Sequence, residues 1–166
     1  MKSSNFIGGL AGSAVMTILH ESVKKVVPKA PRLDLLGQQA VSKGLQKSGV
    51  RVPKQQSLYT LSLAGDLLAN TVYYSLSNLG APKNIWLRST VFGVVAGVSA
   101  ILLPKPLGLD EKYSNRTWNT KFMTIGLYVT GALVSAAVVK LLERKKNSDT
   151  KKQVEWERKL LTSSMG

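Results

Sequence analysis

The sequence predicts an all-α fold, namely a four-helix transmembrane bundle with a surface amphipathic segment in the first loop and a basic helical C-terminal tail. Four stretches of the 166 residues, 3–19, 55–82, 89–104 and 122–139, carry no charge except Asp66. Prolines lie at or beyond the ends of the first three stretches, and the 23 Lys and Arg residues lie outside all four, against 9 Asp and Glu in the whole chain. A helix crosses the hydrocarbon core with about 20 residues, so each stretch with its flanks is long enough.

The predicted spans lie near 5–27, 57–79, 84–104 and 120–142. They form a membrane domain of residues 1–143, followed by a basic tail of residues 144–166. Prolines, which end helices, follow the first and third spans, and another lies in the turn between the second and third spans. These residues are Pro28, Pro31, Pro82, Pro104 and Pro106. Trp86 and Trp118 lie at the beginning of the third and fourth spans, where amphipathic rings favour the membrane interface. The short turn between the second and third spans predicts an antiparallel hairpin.

The first loop and the tail are predicted to be helical as well. In residues 29–56, apolar side chains recur along one helical face, at Leu33, Leu36, Ala40, Val41 and Leu45. This pattern is typical of a helix on the membrane surface, although three glycines leave a solvated linker as the alternative. In the tail we expect the fourth helix to continue, to break near 147–149 and to resume near 153–161.

Two other classes of protein share some of these features. A soluble helical bundle also has apolar helices, but the segment 122–139 lacks the charged stripe that a bundle helix turns toward water. A secretory signal peptide also begins with a basic residue and an apolar stretch. Three further apolar stretches favour an uncleaved first span.

Small residues and basic residues predict what the helices contact. In lipid, close backbone approach drives helix association, so small residues at four-residue spacing predict packing faces: Gly8, Gly12, Gly65, Gly93, Gly97 and Gly131. Basic side chains near the ends of the spans are predicted to bind anionic lipid: Lys24, Lys25, Lys43, Lys47, Arg144, Lys145 and Lys146. The same small-residue faces predict a protein partner or a homo-oligomer.

Polar residues within the apolar stretches are the candidates for function. Asp66 lies near the middle of the second span, and Asn70 lies one turn away on the same face. His20 and Glu21 lie near the end of the first span, at a similar depth. A carboxylate in the hydrocarbon region costs several kcal/mol unless it is paired, which makes it a functional candidate by default. The alternative is that Asp66 and Asn70 form interhelical hydrogen bonds, or that Asp66 meets a lysine.

The composition argues against most enzyme classes. The chain has no cysteine and one histidine, so we expect no metal site and no cofactor. No Gly-rich phosphate loop, HExxH or GxSxG motif occurs. A net charge of +14 is also typical of proteins that bind nucleic acid. Here, however, the basic residues flank the spans, where anionic lipid is a nearer partner than nucleic acid. We therefore expect a non-enzymatic protein that binds no nucleic acid.

Residues 7–17 (IGGLAGSAVMT) and 28–32 (PKAPR) resemble the start of small uncharacterised multi-pass bacterial inner-membrane proteins, which open with a Gly/Ala-rich helix and a Pro-rich exit. The resemblance implies a location in the bacterial cytoplasmic membrane and implies no activity. Lys and Arg divide almost evenly between the two sides of the four spans, so they do not decide orientation. The dense basic tail favours cytoplasmic termini.

These observations give three hypotheses about function. The first is an accessory or scaffold subunit of a membrane complex. The second is a small transporter or channel with a polar pathway around Asp66. The third is a membrane enzyme that uses His20, Glu21 and Asp66.

Overall fold

The computed structural model describes residues 2–164, with side chains through residue 159. All regular structure in this range is helical: α1 (Ser3–Val26), α2 (Leu33–Lys47), α3 (Gln55–Ser77), a 3₁₀ turn (Pro82–Asn84), α4 (Ile85–Leu102), the short α5 (Lys112–Asn115) and α6 (Trp118–Ser164). The all-α prediction is therefore confirmed for these residues. Residues 1, 165 and 166 of the predicted segments lie outside the described range.

Three helices are long and apolar enough to cross a membrane. They are α1, the segment Pro82–Leu102 that contains α4, and the part of α6 within Trp118–Lys159. Helix α3 is 23 residues long, but it is not among them. Composition thus supports three of the four predicted spans.

The long helices pack in the order α3, α1, α6, α4. Helices α3 and α4 follow each other in the chain, yet they lie at the two ends of this order and meet mainly near their turn. There, the Tyr73 hydroxyl donates to the Phe92 carbonyl at 2.9 Å, and Arg88 Nε donates to the Ser77 carbonyl at 2.7 Å. A short turn joins α3 and α4, as the predicted hairpin requires, but a cleft separates the two helices away from this turn.

Glycines decide which helices pack closely. A methyl group at Gly12 would overlap the carbonyl of Gly131, and a Cβ at Gly97 would lie 2.6 Å from the Cα of Ile125. Gly8 and Gly93 meet α6 in the same way. Gly65 differs from the other predicted packing residues: it is exposed, and a Cβ there would have no neighbour within 4 Å. The prediction of a packing role for Gly65 is therefore wrong within this chain.

Helix α2 lies at the end where α1 finishes and α3 begins. The side chain of Gln55 on α3 donates to that of Gln38 on α2 at 2.6 Å. The tail also differs from the prediction, because α6 runs unbroken through 147–149. No glycine or proline occurs between 132 and 165, so nothing in that segment ends a helix. The predicted domain boundary at 143 accordingly falls inside a continuous helix.

Candidate functional site

A cluster of ions joins the end of α1 to the start of α2. Lys24 Nζ lies 2.5 Å from Glu21 Oε1 and 3.1 Å from Asp34 Oδ2. Arg32 binds the same Asp34 carboxylate with two nitrogens, each at 3.0 Å. Burial alone would raise the pKa of Asp34, but the hydrogen bonds from Arg32 and Lys24 outweigh it and lower the pKa to about 2. Both acids of this cluster therefore have cationic partners.

His20 is buried beside this cluster and holds the chain that enters α2. Its Nε2 lies 3.1 Å from the Pro31 carbonyl oxygen and accepts the Leu33 N–H at 3.2 Å. Its Nδ1 lies 3.6 Å from Glu21 Oε1. Although two acids surround His20, Lys24 and Arg32 already occupy them, and no group of described residues forms a metal site. The role that these contacts give to His20 is to position the first loop.

Asp66 has a different environment. Asn70 Nδ2 donates to its Oδ1 at 3.0 Å, and both residues belong to α3. Within the described part of the chain, no other hydrogen bond or ion pair to the Asp66 carboxylate is found. The bond to Asn70 is thus intrahelical, and neither an interhelical bond nor a lysine compensates the charge. Contacts with the other helices therefore do not explain why an acid occurs at Asp66.

A cleft of about 390 Å³ opens beside Asp66, between α3 and α4. Most of its walls are apolar and many are small: Leu33, Leu36, Gly37, Ala40, Asp66, Ala69, Asn70, Tyr73, Ala96, Ser99, Ala100, Leu103, Pro104, Leu107, Leu109 and Tyr128. Asp66 is the one acid among these residues, and none of them is basic. The cleft therefore presents a single carboxylate in an apolar wall.

A second, smaller cavity of about 20 Å³ lies between Asp66 and His20. This volume is enough for about one water molecule. The cavity is lined by side chains of α1, α2 and α3, among them Thr17, whose buried Oγ1 has no hydrogen-bond partner among the described residues. Asp66 and Leu33 border both cavities. Asp66 consequently lies at the junction between the cleft and the small cavity, which Glu21 also lines.

The other end of the bundle is closed by packed side chains. Tyr74 is fully buried, and its hydroxyl donates to the Tyr128 carbonyl at 3.1 Å. Its ring packs with Met16, Leu127 and Ala132. Because Tyr74 lies about two helical turns beyond Asp66 on α3, this core separates Asp66 from the α3–α4 turn. The lining of the two cavities thus stops short of the α3–α4 turn.

The structure brings together all four predicted polar residues. His20, Glu21 and Asp66 line the small cavity, and Asn70 lines the cleft. The prediction from sequence missed Asp34 and Thr17. An acid directly after the Pro-rich exit of α1 was a signal for Asp34, whereas a threonine in an apolar helix gave none for Thr17.

Two of the lysines predicted to bind lipid have protein partners instead. Lys24 is paired with Glu21 and Asp34, and Lys43 donates to the Gly108 carbonyl. The lipid prediction is wrong for Lys24, because its ammonium is largely buried between two carboxylates. The remaining predicted side chains are exposed: Lys25, Lys47, Arg144, Lys145 and Lys146.

Comparisons with known proteins found no matching family model, no matching curated protein and no matching solved structure.

Proposed function

We propose that this protein is a small, non-enzymatic integral membrane protein with four spans, in which α3 crosses the membrane beside α1. The contacts between these two helices support a shared depth. Gly9 packs against α3 near Ser75, and the hydroxyl of Ser13 donates to the Leu67 carbonyl at 2.9 Å. At the other end, Lys24 Nζ lies 5.4 Å from the ring centroid of Tyr59. Helix α3 therefore accompanies α1 along nearly its whole length.

Polar and apolar residues lie on opposite faces of α3, and this distribution explains why its average composition is less apolar than that of the other spans. Its buried face is largely polar and includes Ser62, Asn70, Thr71, Ser75 and Ser77. Its exposed face carries Leu61, Leu68, Val72 and Leu76. A helix with polar residues inside and leucine outside suits a lipid environment, where buried hydroxyls bond within the protein. An average over both faces hides this arrangement.

Single-cysteine labelling tests the four-span topology. The natural chain has no cysteine, so Lys54→Cys and Lys83→Cys each introduce one site, at either end of α3. With an impermeant maleimide, we expect the two variants to react from opposite sides of the membrane. Lys43→Cys and Lys151→Cys, which flank a larger part of the chain, should also lie on opposite sides. Labelling of both ends of α3 from the same side would refute the proposal.

Asp66 supports a transport role, in which it binds a small cation such as the proton on a polar pathway. An acid inside a membrane bundle is costly, and no cation among the described residues compensates it here. Its position at the junction of the two cavities is the observation that carries this proposal. In this conformation, the core around Tyr74 closes the pathway on the side of Asp66 that faces the α3–α4 turn.

Flux measurements in liposomes test the role of Asp66. With an imposed membrane potential and a pH-sensitive dye inside, we expect the natural chain to admit protons faster than empty liposomes. Asp66→Asn should abolish this excess. Asp149→Asn makes the same chemical change on the exposed tail, and it should retain the excess. No excess flux with the natural chain, or equal flux with Asp66→Asn, would rule out the pathway.

An accessory role in a membrane complex is the second candidate, and the tail is the observation that favours it. Helix α6 continues as an exposed basic helix through residues 144–159. By contrast, five of the six predicted packing glycines already contact other parts of the same chain, so they are not available to pack against a partner protein. A companion that co-purifies in mild detergent with the full chain, but not with a chain that ends at residue 143, would support this role.

The resemblance at the N-terminus and the basic tail support a bacterial cytoplasmic membrane with cytoplasmic termini.

A further inference from the structure

The cleft between α3 and α4 has the dimensions of a ligand site. Its volume of about 390 Å³ lies within the usual range for small-molecule pockets, roughly 300–1,000 Å³. The space exists because small side chains face it from both walls, Ala69 on α3 and Ala96 and Ala100 on α4. Larger residues at these positions would have allowed α3 and α4 to pack on each other.

One end of the cleft is covered by a roof, which we define as α2 together with residues 103–110. Leu36 of α2 and Leu107 both line the cleft. The backbone N–H of Asp110 donates to Gln39 Oε1 at 2.7 Å, and Lys43 donates to the Gly108 carbonyl, so the two parts of the roof are tied together. A straight transmembrane helix from a partner would have to pass through this roof. The roof therefore favours a ligand shorter than a span, which enters from the side.

The charge of the cleft defines the polar part of that ligand. Asp66 has Asn70 as its hydrogen-bond donor, and none of the residues lining the cleft is basic. A carboxylate in an apolar wall is best compensated by a cation that donates hydrogen bonds to it. A phospholipid would bring a phosphate into the same wall, where no basic side chain is present to bind it. The charge thus favours a cationic ligand without an anionic group.

We propose that the cleft binds a single-chain amphiphile with a protonated primary amine, the ammonium at Asp66 and the alkyl chain along Leu36, Leu103 and Leu107. This inference rests on the cation-binding role proposed for Asp66, but it does not require transport. Flux without amine binding would overturn this inference alone. Amine binding without flux would overturn the transport proposal alone.

Equilibrium binding to the full chain in phosphatidylcholine nanodiscs tests the inference. The probes are radiolabelled dodecylamine, dodecanol and dodecanoate, with binding to empty nanodiscs subtracted. Dodecylamine is protonated near neutral pH, so we expect it to bind at least about tenfold more tightly than dodecanol. Dodecanoate should bind more weakly than dodecanol, because like charges repel. Equal binding of the amine and the alcohol to the natural chain would overturn the proposal without any variant.

Variants assign the site to the cleft. Asp66→Asn should reduce amine binding to the level of the alcohol and leave alcohol binding unchanged, whereas Asp149→Asn should change neither. Ala100→Trp, which fills the cleft from α4, should reduce binding of both probes. If Asp66→Asn does not fold, Ala100→Trp and the comparison of probes still decide the matter. Full amine binding by either cleft variant would refute the site.

Discussion

Gly97 on α4 faces the backbone of α6, and its replacement by alanine measures how closely these two helices pack. A Cβ at this position would lie 2.6 Å from the Cα and 3.2 Å from the Cβ of Ile125, whereas ordinary contact begins at 3.4 Å. The obstructing atoms belong to the backbone and to a branched carbon, so a rotamer change does not relieve the overlap. The two helices have to move apart.

The expected cost follows from two opposing contributions. Forcing extra volume into a packed interface costs about 1–3 kcal/mol. Replacing glycine by alanine within a helix returns about 1 kcal/mol. We therefore expect Gly97→Ala to lower the free energy of unfolding by up to about 2 kcal/mol, which in a chain of this size lowers Tm by up to about 8 °C. Relative to a glycine-to-alanine change without the overlap, the expected loss is about 1–3 kcal/mol.

Thermal unfolding in nonionic detergent micelles, followed by circular dichroism, provides the measurement. Gly126→Ala on α6 is the matched control, because a Cβ there would have no neighbour within 4 Å. This variant should be as stable as the natural chain or more stable. If Gly97→Ala were as stable as Gly126→Ala, the close contact between α4 and α6 would be refuted.

Two further predictions concern the small cavity and the ion cluster. The pKa of Asp34 is lower in the folded protein than its ordinary value, so its contribution of about 2 kcal/mol is complete above about pH 4 and is lost as the pH falls toward 2. Thermal unfolding across this range should show the loss, and Asp34→Asn should remove that pH dependence. The hydroxyl of Thr17 is buried without a partner among the described residues, so Thr17→Val should keep or raise the free energy of unfolding, by up to about 1 kcal/mol. A clear loss of stability in Thr17→Val would show that the hydroxyl is satisfied in solution.

The long helices were predictable from the sequence because each contains a long stretch from which charge is almost excluded. The predicted ends differ from those of α1, α3 and α4 by a few residues. How the helices pack was less predictable. A short turn suggested that α3 and α4 pack on each other, but Gly93 and Gly97 direct α4 onto α6. Loop length limits which helices are neighbours in the chain, whereas surface shape decides which of them touch.

The candidate site was only partly predictable. Helical rise alone placed His20 and Asp66 at a similar depth, and the structure puts both beside one cavity. The cleft itself was not foreseen, because Ala96 and Ala100 lie in an apolar helix whose sequence does not distinguish a lipid-facing side from an empty one. The partners of Asp34 were likewise hidden, since they depend on how α2 folds back after Pro31.

Helix α6 is much longer than a membrane is thick. Its 47 residues extend about 70 Å, while the hydrocarbon core is only about 30 Å thick. The segment beyond residue 143 is therefore an arm of about 30 Å, rigidly joined to the helix that carries Tyr128 in the cleft wall. Tilting α6 by about 10° would swing the tip of that arm through about 5 Å. A small change in the tilt of α6 beside the cleft would therefore become a larger displacement at the tip of the arm.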